Sequence, residues 1–363
     1  MVKRIRPAKH YQRRDNPARM LMIQHKRFIA RDMRDALAHL GEIVPKRRVD
    51  YDLRVGHYRA IAREIDWPHY REVFKKTFAR IADAYHDGAK LGVRKINGAF
   101  RQSRRRVRYR KVGQLSKAAD EFNFDLFTPE VQARLRQAQD DLIQQLETDA
   151  RDTIETIVAT GAREGLSPAD LVDDIRQMIG LTDTQAQAVL NFRSMLESLD
   201  SGALTRQLRN TEYDETIRAA IAADEDLSAT AIESMVQDYV DNYLDYRAST
   251  IAQTESVRSI NEGLHDAYSQ AVERGALPDD AITREWELGD SPCPICESIP
   301  DNNPDGVGVD ESFESDDGPI DDPPVHPNCM CSVNYITDIS KVPEFDDESG
   351  AYDTAGSLAD EYS

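Results

Sequence analysis

Cysteine is nearly absent from this chain: four in 363 residues. All four fall in two short strings, "CPIC" (Cys293–Cys296) and "HPNCMC" (His326–Cys331). So few thiols exclude a disulfide-stapled scaffold. No stretch approaches the roughly 18 consecutive apolar residues that a membrane span needs. The first twenty residues are basic, with no apolar segment after them, so no secretory signal is expected and a reducing cytoplasm is the expected place of synthesis. A phosphate-binding glycine loop, a G-x-S-x-G elbow, H-E-x-x-H and H-N-H are all missing, which removes the commonest signatures of nucleotide, esterase and metallohydrolase chemistry.

Acidic residues are scarce at one end only. Residues 1–120 hold 32 Lys/Arg against 12 Asp/Glu, leaving 14 against 53 for the rest; the two parts carry +20 and −39 within a total of −19. Oppositely charged regions suggest two different surfaces to meet. The densest basic run, "RQSRRRVRYRK", contains Arg101, Arg104, Arg105, Arg106, Arg108, Arg110 and Lys111. It reads either as a solvated basic loop or as a contact for phosphates or an acidic partner. Tyr109 alone interrupts it, so base stacking is not indicated.

Apolar periodicity is mostly helical. After Thr128 as cap and Pro129 as first helical residue, Val131, Leu135, Ala138, Leu142, Leu146, Ile154, Ile157 and Val158 make one stripe, with Gly161 as the expected stop. Ser167, Pro168 and Asp170 start a short helix ending at Gly180, and Thr182 with Gln185 makes a capping box for the next. The pair invites a helix-turn-helix reading, but "DTQAQAVLNF" offers no Arg or Lys to a major groove, so a plain helical hairpin is expected. Thr230 with Glu233 is read as a second capping box, opening a long helix with a core stripe of Met235, Tyr239, Tyr243 and Tyr246, a kink at Gly263 and a stop at Gly275.

Beyond Gly275 the pattern changes. "ITREWEL" and "CSVNYI" read as strands. Residues 297–325 between them are rich in Pro, Gly and acids and read as irregular chain that something must pin. "DNNPDG" fits the first half of a calcium loop, but position twelve is Ser312, and Pro300 and Pro304 oppose a flanking helix, so a tight turn is expected. The last stretch, 341–363, is acidic and poor in aliphatics and reads as a disordered tail.

Cys293-x-x-Cys296 can place two thiolates on one ion, and His326, Cys329 and Cys331 follow after a long loop. That is five donors for a tetrahedral ion that takes four, in the order in which small zinc sites are built. Metal binding would pin the loop, because binding energy becomes folding energy. A disulfide or redox pair is the alternative. A zinc deaminase needs H-x-E before P-C-x-x-C; "PCPIC" satisfies the second half, but "HDA" at 265–267 puts Ala267 where the proton-shuttling glutamate belongs. His265 then reads as a polar residue on a helix.

The stretch from "RASTIAQTESVRSINEGLHDAYSQ" through "REWEL", "CPICESIPDNNPDGVGVDESF" and "GPIDDPPVHPNCMCSV" resembles the phage Mu F-like minor head proteins, also described as SPP1 gp7-like head morphogenesis proteins. Gln253, Thr254, Glu255, Trp286, Cys293, Cys296, His326, Pro327, Cys329 and Cys331 occupy the positions of that pattern. Gln253 and Met330 stand where arginines are common. The likeness is strong over 230–336 and fainter over 119–229.

The resemblance implies a minor head component of a tailed phage or prophage, made in the host cytoplasm and placed in the procapsid or virion. Its partners would be the portal protein, other head or scaffold proteins and packaged double-stranded DNA, with no membrane and no catalysis. Some relatives carry a toxic domain after this module; only about thirty polar residues follow Cys331, too few for a catalytic domain.

The expected fold is mainly α, with a small C-terminal α+β module closed by a structural zinc. The expected regions are 1–118 (basic, partly helical), 119–229 (helical), 230–340 (head morphogenesis module) and 341–363 (tail). A zinc-dependent hydrolase or deaminase, or a nucleic-acid-binding protein using the basic region, is the rival reading.

Overall fold

A computed structural model describes residues 16–110 and 122–342, with backbone alone for 104–110. The described chain is mainly helical, with a small strand-bearing module towards its C-terminal end. The helices are α1 (Pro17–His39), α2 (Lys46–Arg54), α3 (Ile61–Glu64), α4 (Trp67–Val73), α5 (Lys75–Arg110), α6 (Pro129–Glu164), α7 (Pro168–Met178), α8 (Asp183–Glu197), α9 (Asp214–Ala223) and α10 (Ala229–Glu273). Strand β1 (Ile282–Glu287), helix α11 (Pro294–Asn302) and strands β2 (Phe313–Ser315), β3 (Gly318–Ile320) and β4 (Ser332–Thr337) complete the order.

Local chemistry sets most boundaries. Thr128 Oγ1 accepts the Val131 N–H at 3.3 Å and Pro129 opens α6. Ser167 caps α7, and Thr182 and Gln185 form the reciprocal box at α8. The end of α10 is a Schellman turn: Gly275, at φ +67°, donates to Val272 O, and Ala276 donates to Ala271 O, both at 2.8 Å.

Two boundary expectations are corrected. Gly161 does not stop α6, which runs on to Glu164 before Gly165 at φ +73°. Instead Gly161 makes room for α7: a Cβ there would lie 2.2 Å from Leu171 Cδ2. The cap of α10 is Ser228, whose Oγ accepts the Ala231 N–H at 3.2 Å, so Thr230 lies within the first turn. Helix α10 also continues unbroken through Gly263.

The chain packs as two compact units, each assembled from separated stretches, so the packing units do not follow the linear regions. Of the described residues, one takes 16–26, 81–110, 122–132 and 253–342; the other takes 27–80 and 133–252.

In the second unit Leu37, Leu40, Phe74, Ile154, Ile175, Met178, Leu190 and Val240 form the core. Met235 and Tyr239 of the expected stripe are buried there and Tyr243 is partly so, but Tyr246 is half exposed. Buried Arg247 satisfies the end of α7 and a carboxylate together, donating to Gly180 O at 2.7 Å and to Asp149 at 2.6 Å. Asp174 lines an open, acid-rich cleft of about 820 Å³. Desolvation pushes its carboxyl up to about 6, against the pull of Arg193 at 3.6 Å. Its folded value thus exceeds the unfolded one, so its stabilising contribution is full below about pH 4 and is lost as pH rises through 6. Asp174→Asn should flatten the fall in urea midpoint between pH 4 and 7, a difference of about 3 kcal/mol at most.

In the first unit α5 and α10 meet through small residues. A Cβ on Gly263 would lie 2.0 Å from Tyr85 O, and one on Gly88 2.4 Å from Ile260 O. Backbone approaching backbone leaves no flexible side chain to yield. Gly263→Ala should therefore lower stability by about 2–3 kcal/mol in a denaturant titration, despite alanine's better helix propensity.

Strands β1 and β4 pair antiparallel, from Ile282 opposite Thr337 to Glu287 opposite Ser332. The segment expected to be irregular over 297–325 contains α11, which starts at Pro294, and the β2–β3 hairpin. Pro300 makes this stretch read as irregular because proline usually breaks a helix. It lies inside α11 and is buried, removing a single backbone donor from a nine-residue helix. The end of "DNNPDG" is a turn, as expected, after Asp301 and Asn302 close α11: Gly306 has φ +73° and its N–H reaches Asn303 O at 3.1 Å.

Candidate metal centre

Cys293 sits at the N-terminus of α11, where its sulfur accepts the Cys296 N–H at 3.4 Å. One helical turn therefore brings both thiols of the C-x-x-C to the same end of the helix. The second string is a tight loop entering β4. Its Asn328 adopts a left-handed backbone at φ +63°, which asparagine tolerates.

The five expected donors come together as two overlapping groups. Cys293, Cys296 and His326 have donor atoms within 4.8 Å of one another, and so do Cys296, Cys329 and Cys331. Cys296 Sγ lies 3.8 Å from His326 Nε2 and 3.9 Å from Cys329 Sγ. Tetrahedral zinc, with Zn–S about 2.3 Å and Zn–N about 2.0 Å, spaces its donors about 3.6–3.8 Å apart, so these edges fit. Cys296 belongs to both groups and is the residue that joins them.

The donors are prepared electronically. His326 Nδ1 lies 2.8 Å from Pro327 O, which fixes the N–H on Nδ1 and leaves the Nε2 lone pair facing Cys296. Cys296, Cys329 and Cys331 are buried and Cys293 partly so. Donation from the Cys296 and Cys331 thiols pulls Cys329 well below the ordinary thiol range. The same contacts, with Cys329 first, push Cys296 far above it. A bound divalent cation would let more than one of these sulfurs ionise.

Helix α10 holds the second string in place. Gln253 Nε2 reaches Cys329 O at 3.5 Å, and Thr254 Oγ1 accepts the Asn328 N–H at 3.2 Å. Glu255 is buried and paired with Arg258 at 3.0 Å; burial pushes its carboxyl up. Trp286 is buried on β1, edge-on to Phe313 at 5.3 Å, with its indole N–H unpartnered. Pro327 is exposed and contributes its carbonyl to His326.

His265 stands apart from the cysteines. It bonds Tyr335 Oη at 3.0 Å and Ser269 at 3.3 Å, and among the described residues it joins neither donor group.

Arg284 also holds this module together, although it belongs to neither cysteine string. It is 1% exposed and donates to the carbonyls of Val309 (2.8 Å), Glu311 (3.2 Å) and Asp321, and to the Asp322 carboxylate at 3.0 Å. Its guanidinium also lies over Phe313 at 4.9 Å. It therefore pins the acidic loop from the sheet side. Strand periodicity held the signal: Ile282, Arg284, Trp286 and Leu288 alternate onto one buried face.

The basic run is helical up to Arg110, not a loop. Arg101 is exposed on α5. The side chains of Arg104, Arg105, Arg106, Arg108 and Arg110, and all of Lys111, lie outside the described residues, as does the tail from 343. No protein-family profile, curated protein or solved structure matches the chain.

Proposed function

We propose that this chain is a minor head protein of a tailed phage or prophage, acting at the portal vertex in head assembly and DNA packaging, and that a structural zinc closes its C-terminal module. One observation carries the reading. The separated strings behind the resemblance meet in one packing unit: the Gln253–Thr254 segment of α10 grips the His326–Cys331 loop, which faces Cys293 and Cys296. Such convergence fits a clasp that holds fold. Ala267, where a deaminase needs its glutamate, is fully buried, which favours assembly over catalysis.

In this reading zinc supplies folding energy and no chemistry. The basic region faces DNA or an acidic portal surface, and the acidic region stays off the DNA. Immunoblotting of assembled heads tests it: the chain should copurify with portal and capsid proteins in procapsids. Absence from both procapsids and virions contradicts it.

A further inference from the structure

Register places Glu285, Glu287, Ser332 and Asn334 on one face of the β1–β4 pair, opposite the face that carries Arg284 and Trp286. Helix α5 contributes Lys95 to that face, and its Nζ donates to Asn334 Oδ1 at 2.9 Å. An amine is thus held against a carboxamide carbonyl across 239 residues of chain. Glu287 is close enough for its charge to act on that amine, and its carboxylate is itself held by a hydrogen bond from Asn16. Burial pulls the Lys95 amine below its ordinary value, with Glu287 opposing, which raises the share of the neutral, nucleophilic form.

We propose that Lys95 and Asn334 join in an intramolecular isopeptide bond, with Glu287 as the proton carrier. Lys95 Nζ attacks Asn334 Cγ and forms the new C–N bond. Glu287 takes the proton from Nζ and returns it to Nδ2, the Cγ–Nδ2 bond breaks, and ammonia leaves. The atoms balance without oxidant, metal or added reactant. Fixed proximity replaces the bimolecular encounter that makes amide exchange slow in solution. The product is a covalent strut from α5 to the strand beside the metal cluster, and the inference does not rest on the proposed function.

Intact-mass spectrometry of the full chain tests this directly. The expected mass is the sequence mass less one ammonia, with a branched tryptic peptide joining Lys95 to Asn334 and no cleavage after Lys95. Lys95→Arg and Asn334→Ala should restore the full mass, and Glu287→Gln should abolish or greatly slow the linkage in a chain that still folds. A wild-type chain at full sequence mass overturns the proposal, as does an ammonia loss that maps to an unlinked asparagine. A linked Glu287→Gln chain overturns the part assigned to Glu287.

Discussion

Cys296→Ser should release the metal and unfold the module from β1 to β4, while the helices of the other unit keep their signal. Structural zinc contributes on the order of 10 kcal/mol of apparent binding energy to small metal-closed folds, as much as the whole stability of an ordinary domain. The acidic loop has few apolar side chains to replace that contribution. Cys296 should show the largest effect of the five donors because it alone belongs to both groups. At least one of the other four donors should tolerate serine with the metal retained, since a tetrahedral ion cannot use all five. The chain has two tryptophans, so in a Trp67→Phe background the fluorescence reports Trp286 alone. Its emission should move to longer wavelength in Cys296→Ser, with far-ultraviolet helicity largely retained.

Arg284→Met should cost about 3–5 kcal/mol, read as a fall in the denaturant midpoint of the same Trp286 signal. Methionine keeps much of the volume but removes the guanidinium from Asp322 and strands the carbonyls of Val309, Glu311 and Asp321. Arg284→Lys should recover only part of the loss, because an ammonium cannot reproduce the planar fork that spans both sides of the loop. Adding Asp322→Asn to Arg284→Met should return some stability by removing a carboxylate charge that Arg284 no longer offsets. Zinc content should survive in Arg284→Met if the arginine and the metal pin the loop independently.

How far the fold could be read beforehand depended on where each signal was local. The capping box of Thr182 and Gln185, Thr128 with Pro129, and the glycine stop at 275 act within a turn of their own helix, and the structure has each of them. Gly161 reads as a stop and Gly263 as a kink because glycine weakens a helix. Their reason is a neighbouring element, Leu171 for one and Tyr85 O for the other, which no local pattern reveals. Tyr246 kept helical spacing yet faces outward, because a stripe's edge is set by the partner surface.

The five candidate donors are legible because all the cysteines of the chain lie in two strings. The loop between those strings was not. Its order depends on Arg284, one charged residue in a strand alternating with apolar ones, and on α11, whose buried Pro300 argues against a helix when taken alone. Lys95 and Asn334 carried no sequence signal, because 239 residues separate them and only the docking of α5 on the sheet brings them together.

Metal content of the purified full chain tests the central claim most directly. The account predicts one zinc per chain that persists through dialysis, is lost in Cys296→Ser, and whose removal by a strong chelator lowers the melting temperature of the wild type. A chain that purifies without metal, and whose melting is unchanged by either chelator or added zinc, would contradict it.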